Sequence, residues 1–158
     1  MAIPYATKKL GITVEEAERQ LNTESGLLGL SGVSNDTRDI EAAAQAGNTE
    51  AQLAQGVLID SIRHWAGSFY FKMGGAEAIA FTAGIGENSP EFRSAVCAGL
   101  ENIGVRLDGP ANNATKHGIE AVISAPDSKI KVLVIPANEE LVIAREVSRF
   151  METNAATA

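Results

Sequence analysis

The sequence predicts an α/β fold, and three observations carry that prediction. The apolar run Ala78-Ile79-Ala80-Phe81 is followed by a glycine-containing segment and a helix-start signal, which reads as strand, glycine loop, helix. Residues 49–73 place Ala54, Leu58, Ile62, Trp65, Phe69 and Met73 at steps of three or four, one apolar stripe along a long helix. Two further apolar runs, 121–124 and 130–135, flank Pro126-Asp127-Ser128 and read as strands joined by a turn.

Composition narrows the class. A chain of 158 residues is expected to form a single domain with a sizeable core, and its 45% apolar content is ordinary for a globular protein. The net charge of −7 and the lack of a basic patch argue against nucleic acid as a partner. A phosphorylated ligand stays open, because it needs only local positive potential. Cys97 is the single cysteine, so no internal disulfide is possible and a reducing compartment is the simplest fit. Its apolar setting, SAVCAGL, reads as a buried structural thiol. No apolar run reaches the roughly 18 residues of a membrane span, and the N-terminus lacks a signal-peptide pattern. A cytoplasmic location without membrane partners is expected.

The elements follow in order. Residues 1–11 show no structural beginning. Thr13-Val14-Glu15-Glu16 is a capping-box pattern and predicts a helix over 14–22. The glycine-rich run 27–33 reads as a loop or short extended piece. Ser34-Asn35-Asp36 is a turn and cap cluster, opening a helix from Thr37 to about Ala46 that Gly47 closes. Read alone, Asp36 and Asp39 are capping and first-turn acids, and Arg38 is a surface charge. The long helix starts at Asn48-Thr49, with Thr49 and Gln52 as its capping box. Trp65 and Phe69 are assigned to the core, and His64 beside them is structural. Gly74-Gly75 ends this helix.

The segment after the first strand is the informative one. Gly84 and Gly86 lack a Cβ and tolerate positive φ, so a ligand can approach the backbone there. Ser89-Pro90-Glu91 supplies an N-cap, a proline at the first helical position and a first-turn acid, opening a helix over 90–102. Backbone N–H groups at such a junction suit phosphate or the polar edge of a nucleotide. A tight turn without a ligand explains the same residues. Val105-Arg106-Leu107 reads as a short strand and 108–118 as a polar loop with His117 exposed. Glu139 to Met151 forms the last helix, and 152–158 is a flexible tail. A dinucleotide-binding unit is a rival reading, with Asp108 about 20 residues beyond the glycines as that fingerprint expects. It fails at the third glycine position, which is Ser89 followed by Pro90.

Three segments in order, SGLLGLSGVSNDTRDIE, FTAGIGENSPEFR and IPANEELVIARE, resemble the C-terminal part of the acetate kinase (acetate and propionate kinase) family, over about residues 3–150. The resemblance implies part of the C-terminal α/β domain of the acetate and sugar kinase, Hsp70 and actin (RNase H-like) superfamily. It implies transfer of the γ-phosphoryl group of ATP to acetate, or to propionate, giving the acyl phosphate and ADP with Mg²⁺. By the same resemblance, Gly84, Ile85, Gly86, Glu87 and Asn88 lie against the nucleotide. Asp36, Thr37 and Arg38 contact the adenosine, and Glu139 is the magnesium ligand. Thr37 and Ala137 depart from the pattern, since relatives often carry an apolar residue and a threonine there. No catalytic residue is expected in this chain, because the family's catalytic arginine, histidine and aspartate lie upstream with an N-terminal domain. The isolated chain is therefore expected to be inactive, and a homodimer is expected because relatives dimerise through this domain. A non-catalytic nucleotide-binding or dimerisation module is the alternative.

Overall fold

The computed structural model describes residues 2–116 and 118–155, without the side chains of Ala2, Glu139 and residues 153–155. The chain divides into two compact units, Met1–Lys72 and Met73–Ala158.

The first unit is helical: α1 (Ala2–Leu10), α2 (Val14–Thr23), α3 (Gly26–Ser31), α4 (Thr37–Gln45) and α5 (Thr49–Met73). Two of these correct the sequence reading. The segment without an obvious beginning is α1, which tolerates Pro4 because the first turn needs no N–H donor there. The run assigned to a loop is α3, ended by Gly32 in the left-handed conformation. Thr13 caps α2 as expected, accepting from the Glu16 N–H at 3.1 Å. The Glu16 carboxylate, however, turns to Arg19 and Gln20 instead of completing the box. At α5 the cap is Asn48, not Thr49: Asn48 Oδ1 accepts from the Ala51 N–H at 2.8 Å, while Gln52 donates to the Ala44 carbonyl.

Ile40 and Ala44 of α4 pack on Ala51 and Ala54 of α5, with Leu27 and Ala43 beside them. Only the first turns of α5 join this cluster. Trp65 and Phe69, expected in the core, are 57% and 55% exposed, because the apolar stripe continues past the last residues of α4 that bury it. His64 meets the Trp65 ring edge-on at 5.5 Å. An apolar pocket of about 330 Å³ lies where α1 faces α2, lined by Ile3, Leu10, Ile12, Ala17 and Leu21 among others.

The second unit is built on a three-stranded sheet in the order β1-β3-β2, from β1 (Ala78–Phe81), β2 (Ala121–Val122) and β3 (Lys131–Val134). β1 runs parallel to β3 with Phe81 opposite Val134, and β2 runs antiparallel to β3. Val105 and Leu107 make single bridges to Ile130 and Ser124 in place of a full strand. Val132, Val134 and Ile123 are buried in the sheet, and Val96 and the reduced thiol of Cys97 are buried too.

Helices α6 (Ala83–Asn88), α7 (Pro90–Cys97), α8 (Gly109–Ala114) and α9 (Glu139–Ala155) complete the unit. Ser89 caps α7 through the Phe92 N–H, as its sequence predicts, but Gly99 at φ 73° ends this helical stretch earlier than 102. The polar loop expected at 108–118 contains α8, with Asp108 accepting from the Ala111 N–H and Pro110 in the first turn. Asp108 is therefore used as a cap. His117 lies outside the described residues. The last helix runs past Met151 to Ala155, through part of the expected flexible tail.

One side chain ties three of these helices together. Arg93 on α7 is completely buried, and all five of its N–H donors find acceptors. Nε donates to Asn112 Oδ1 at 2.7 Å. One terminal nitrogen donates to the Gly86 and Glu87 carbonyls at 2.8 and 2.9 Å, and the other to the Asn112 and Thr115 carbonyls at 2.7 and 2.8 Å. These carbonyls belong to the last turns of α6 and α8, where helices leave acceptors unpaired and the dipole is negative. Burial pulls the Arg93 pKa below the ordinary arginine value, and the Glu91 carboxylate acts in the opposite sense.

Replacing Arg93 with Met removes all five of these hydrogen bonds and should cost about 3 kcal/mol or more in urea unfolding. Arg93→Lys should be nearly as damaging, because an ammonium cannot spread five donors over two helix ends. A lysine variant within about 1 kcal/mol of the parent would contradict this role.

Candidate functional site

The residues singled out from the sequence fall in both units. Asp36, Thr37 and Arg38 open α4 in the first. Ser31 and Ser34 shape the approach: the Val33 N–H donates to Ser31 Oγ and the Asp36 N–H to Ser34 Oγ. Asp36 then caps α4 by accepting from the Arg38 N–H at 2.9 Å. Its carboxylate also receives the Arg38 guanidinium through Nε and a terminal nitrogen. That side-chain bond, followed by the backbone bond, lowers the Asp36 pKa from 3.8 to about 2. The Arg38 side chain is 87% exposed, so its guanidinium is anchored at one edge and open to solvent elsewhere.

Gly84, Ile85, Gly86, Glu87 and Asn88 form α6 in the second unit, where the sequence predicted a turn. Neither Gly84 nor Gly86 has positive φ; the left-handed residue is Ala83, at φ 59°. Two glycines in six residues disfavour a helix, so tertiary contacts make it. Gly86 is buried over Phe81, where an added Cβ would lie 3.5 Å from the Phe81 backbone. Asn88 donates to the Gly84 carbonyl at 2.9 Å, and Arg93 donates to the carbonyls of Gly86 and Glu87. At the other end, Thr82 makes no side-chain capping bond. The first N–H groups of α6, which no helix can satisfy internally, stand at the positive end of its dipole. A Cβ added to Gly84 would meet nothing within 4 Å.

Glu139 opens α9, just after β3 in sequence, and its side chain lies outside the described residues. Its segment is nevertheless placed. The Ile135 N–H donates to the Phe81 carbonyl at 2.9 Å, and the Ala137 N–H donates to Glu87 Oε1 at 2.7 Å. Segments 84–88 and 136–139 thus leave the same edge of the sheet, at the C-terminal ends of two adjacent parallel strands. Open α/β sheets bind ligands at that edge.

Arg93, Asn112 and Thr115 were not singled out from the sequence as functional. A signal for Arg93 was present: it shares a helical face with Pro90, Val96 and Cys97, all buried, and a charge on a core face demands a dedicated set of acceptors. Asn112 anchors the far side, donating to the Pro90 carbonyl and to Ser94 Oγ.

Comparison with known proteins gives a consistent answer. The family model described as "Acetokinase family" matches residues 1–145. The chain is 52% identical to the acetate kinase of Geobacillus kaustophilus over 147 residues, covering 93% of this chain and 37% of that protein. It is 47% identical to that of Pseudothermotoga lettingae, covering 94% of this chain and 36% of that protein. The chain thus spans little more than a third of the length of these relatives. Among solved structures, Porphyromonas gingivalis acetate kinase superposes with a TM-score of 0.84 at 36% identity, covering 94% of this chain and 37% of that one. A propionate kinase from Francisella tularensis gives 0.79 at 34% identity, covering 90% and 36%.

Two outcomes are expected at this site. Left-handed backbone costs an L-residue roughly 1–2 kcal/mol, while glycine adds about 0.4–1 kcal/mol of unfolded-state entropy. Ala83→Gly should therefore leave thermal stability unchanged or raise it by up to about 1 kcal/mol; a clear loss would show that the Ala83 side chain is needed. For Asp36, the folded pKa lies below the unfolded one, so its contribution to stability is present above pH 3.8 and lost as pH falls towards 2. Titrating its carboxyl carbon by NMR should give a midpoint near 2, moving up in Arg38→Ala. An unchanged midpoint would remove the ion pair as the cause.

Proposed function

From the premise that the chain belongs to the acetokinase family, we propose that it is the nucleotide-holding part of an acetate kinase, which transfers the γ-phosphoryl group of ATP to acetate and yields acetyl phosphate and ADP. The observation that carries this reading is the shared sheet edge, where α6 and the segment leading to Glu139 emerge side by side. In this reading Gly84 to Asn88 lie against the nucleotide, the first N–H groups of α6 meet phosphate, and the bare Cα of Gly84 leaves room for it. By the family resemblance Asp36, Thr37 and Arg38 contact the adenosine, and the exposed guanidinium of Arg38 offers a flat surface for a base.

A magnesium ion fits the chemistry of the donors. Glu139, the first residue of α9, is an acid that would supply a hard anionic oxygen, and Mg²⁺ takes one or two carboxylates with phosphate oxygens and water. When bound, the ion neutralises charge on the transferring phosphoryl group. The chain's own part is to bind, to orient the phosphates at the start of α6 and to fix the backbone path from β3 into α9. Phosphoryl transfer otherwise depends on a cationic clamp. By the family resemblance, those residues belong to the portion of the relatives that this chain does not match, so the 158-residue chain alone does not turn over.

Two further features belong to this reading. The chain works in the cytoplasm with its single cysteine reduced. It also forms a homodimer, which the exposed Val142, Ile143, Val147 and Phe150 of α9 favour; the dimer would serve equally a non-catalytic module.

The decisive experiment titrates ADP into the chain at several Mg²⁺ concentrations. Glu139→Gln should abolish most of the magnesium-dependent gain in affinity, and Glu140→Gln should not, because neighbouring helical residues point about 100° apart. Equal small effects would make both acids simple helix-start residues. No acetate-dependent ADP formation should appear in the same preparation. Turnover at about 1 s⁻¹ or faster, within the ordinary enzyme range, would overturn the assignment of the clamp elsewhere.

A further inference from the structure

The sheet contains a rung that no backbone supplies. On β3, alternate N–H groups point to β1: that of Lys131 donates to the Glu77 carbonyl and that of Ile135 to the Phe81 carbonyl. The next in this series is the Ala137 N–H. By then β1 has ended and the chain has turned at Ala83 into α6, so no strand carbonyl stands opposite it. Glu87 fills the place: its Oε1 accepts from the Ala137 N–H at 2.7 Å, across fifty residues of sequence. The carboxylate substitutes for the missing strand and extends the ladder by one rung.

We propose that Glu87 is a positioning residue whose carboxylate fixes the path of residues 136–138 and so sets where Glu139 stands relative to α6. Its backbone remains in the nucleotide segment, but its side chain is not a ligand contact. Two observations make the latch stiff at the α6 end. The Glu87 carbonyl is held by buried Arg93 at 2.9 Å, and Gly86 beside it is packed on Phe81. At the other end Pro136 has no N–H and a fixed φ, so the Ala137 N–H is the first donor able to anchor the segment after the Ile135 rung. Asn138 then accepts from the Leu141 N–H at 3.0 Å and starts α9. The backbone path from β3 to the start of α9 is thus held across the sheet edge by the Glu87 carboxylate.

The inference deepens the nucleotide reading and rests on it for its consequence, but not for the latch itself. The latch is tested by amide exchange of Ala137 in the 158-residue chain, comparing the parent with Glu87→Ala and Glu87→Gln. The glutamine keeps an Oε1 acceptor and loses the charge. Exchange at Ala137 should quicken at least tenfold in Glu87→Ala and stay within about threefold of the parent in Glu87→Gln. The consequence is tested by titrating ADP with Mg²⁺. Glu87→Ala should raise the magnesium concentration needed for half-maximal tightening several-fold, and Glu87→Gln should largely restore the parent value. Glu87→Gln as damaging as Glu87→Ala would mean the charge contacts metal or nucleotide directly and would overturn the proposal. Parent exchange at Ala137 as fast as in Glu87→Ala would overturn it too. A folded parent that binds no ADP would instead remove the nucleotide reading and leave the exchange result to decide the latch.

Discussion

The second unit depends on a buried cation whose five donors all go to neutral acceptors. Arg93 spends all five donors on neutral acceptors, four of them carbonyls at the ends of α6 and α8. The partial negative charges of two helix termini replace the usual counter-ion. Because no donor is left over, the arrangement avoids the penalty of an unpaired buried group, and among the described residues no buried side-chain nitrogen or oxygen lacks a partner. The consequence is geometric. A six-residue helix with two glycines has little intrinsic reason to exist, yet it is fixed at its C-terminal end and therefore presents its N-terminal end in a defined direction.

That end coincides with the edge where β1 and β3 stop together. Parallel strands in register deliver two connecting segments to one place, the start of α6 and the segment leading to Glu139. Strain is confined to the first residue of the turn: Ala83 is the only described non-glycine residue at positive φ. A backbone held there by packing on one side and hydrogen bonds on the other is the setting in which such conformations persist.

Much of this was legible in the sequence where a local rule acts alone. Ser89-Pro90-Glu91, Asp36 before Thr37 and Thr13 before Val14 all start helices where their capping chemistry says they should. The apolar run 78–81 matches β1 residue for residue. The misses have a common cause. In α3 and α6 the glycine content argues against a helix, and the left-handed cap at Gly32 in α3 and the packing and Arg93 donors on α6 outweigh propensity. In α8 the polar composition concealed an Asp-Gly-Pro start signal. Trp65 and Phe69 show the reverse error, since periodicity says which side chains share a face but not whether anything covers that face. The paths of 84–88 and 136–139 meet through pairings fifty residues apart, which no local pattern encodes.

The central claim is that the sheet edge at Phe81 and Val134 is where phosphate is held. It is tested most directly by an NMR shift map of the chain titrated with ADP and Mg²⁺. The account predicts that the largest amide shifts fall on Gly84 to Asn88 and on residues 137–139, with little change at the far end of β3. Shifts concentrated on the α1–α2 pocket around Ile3 and Leu21, with the 84–88 amides unmoved, would contradict it.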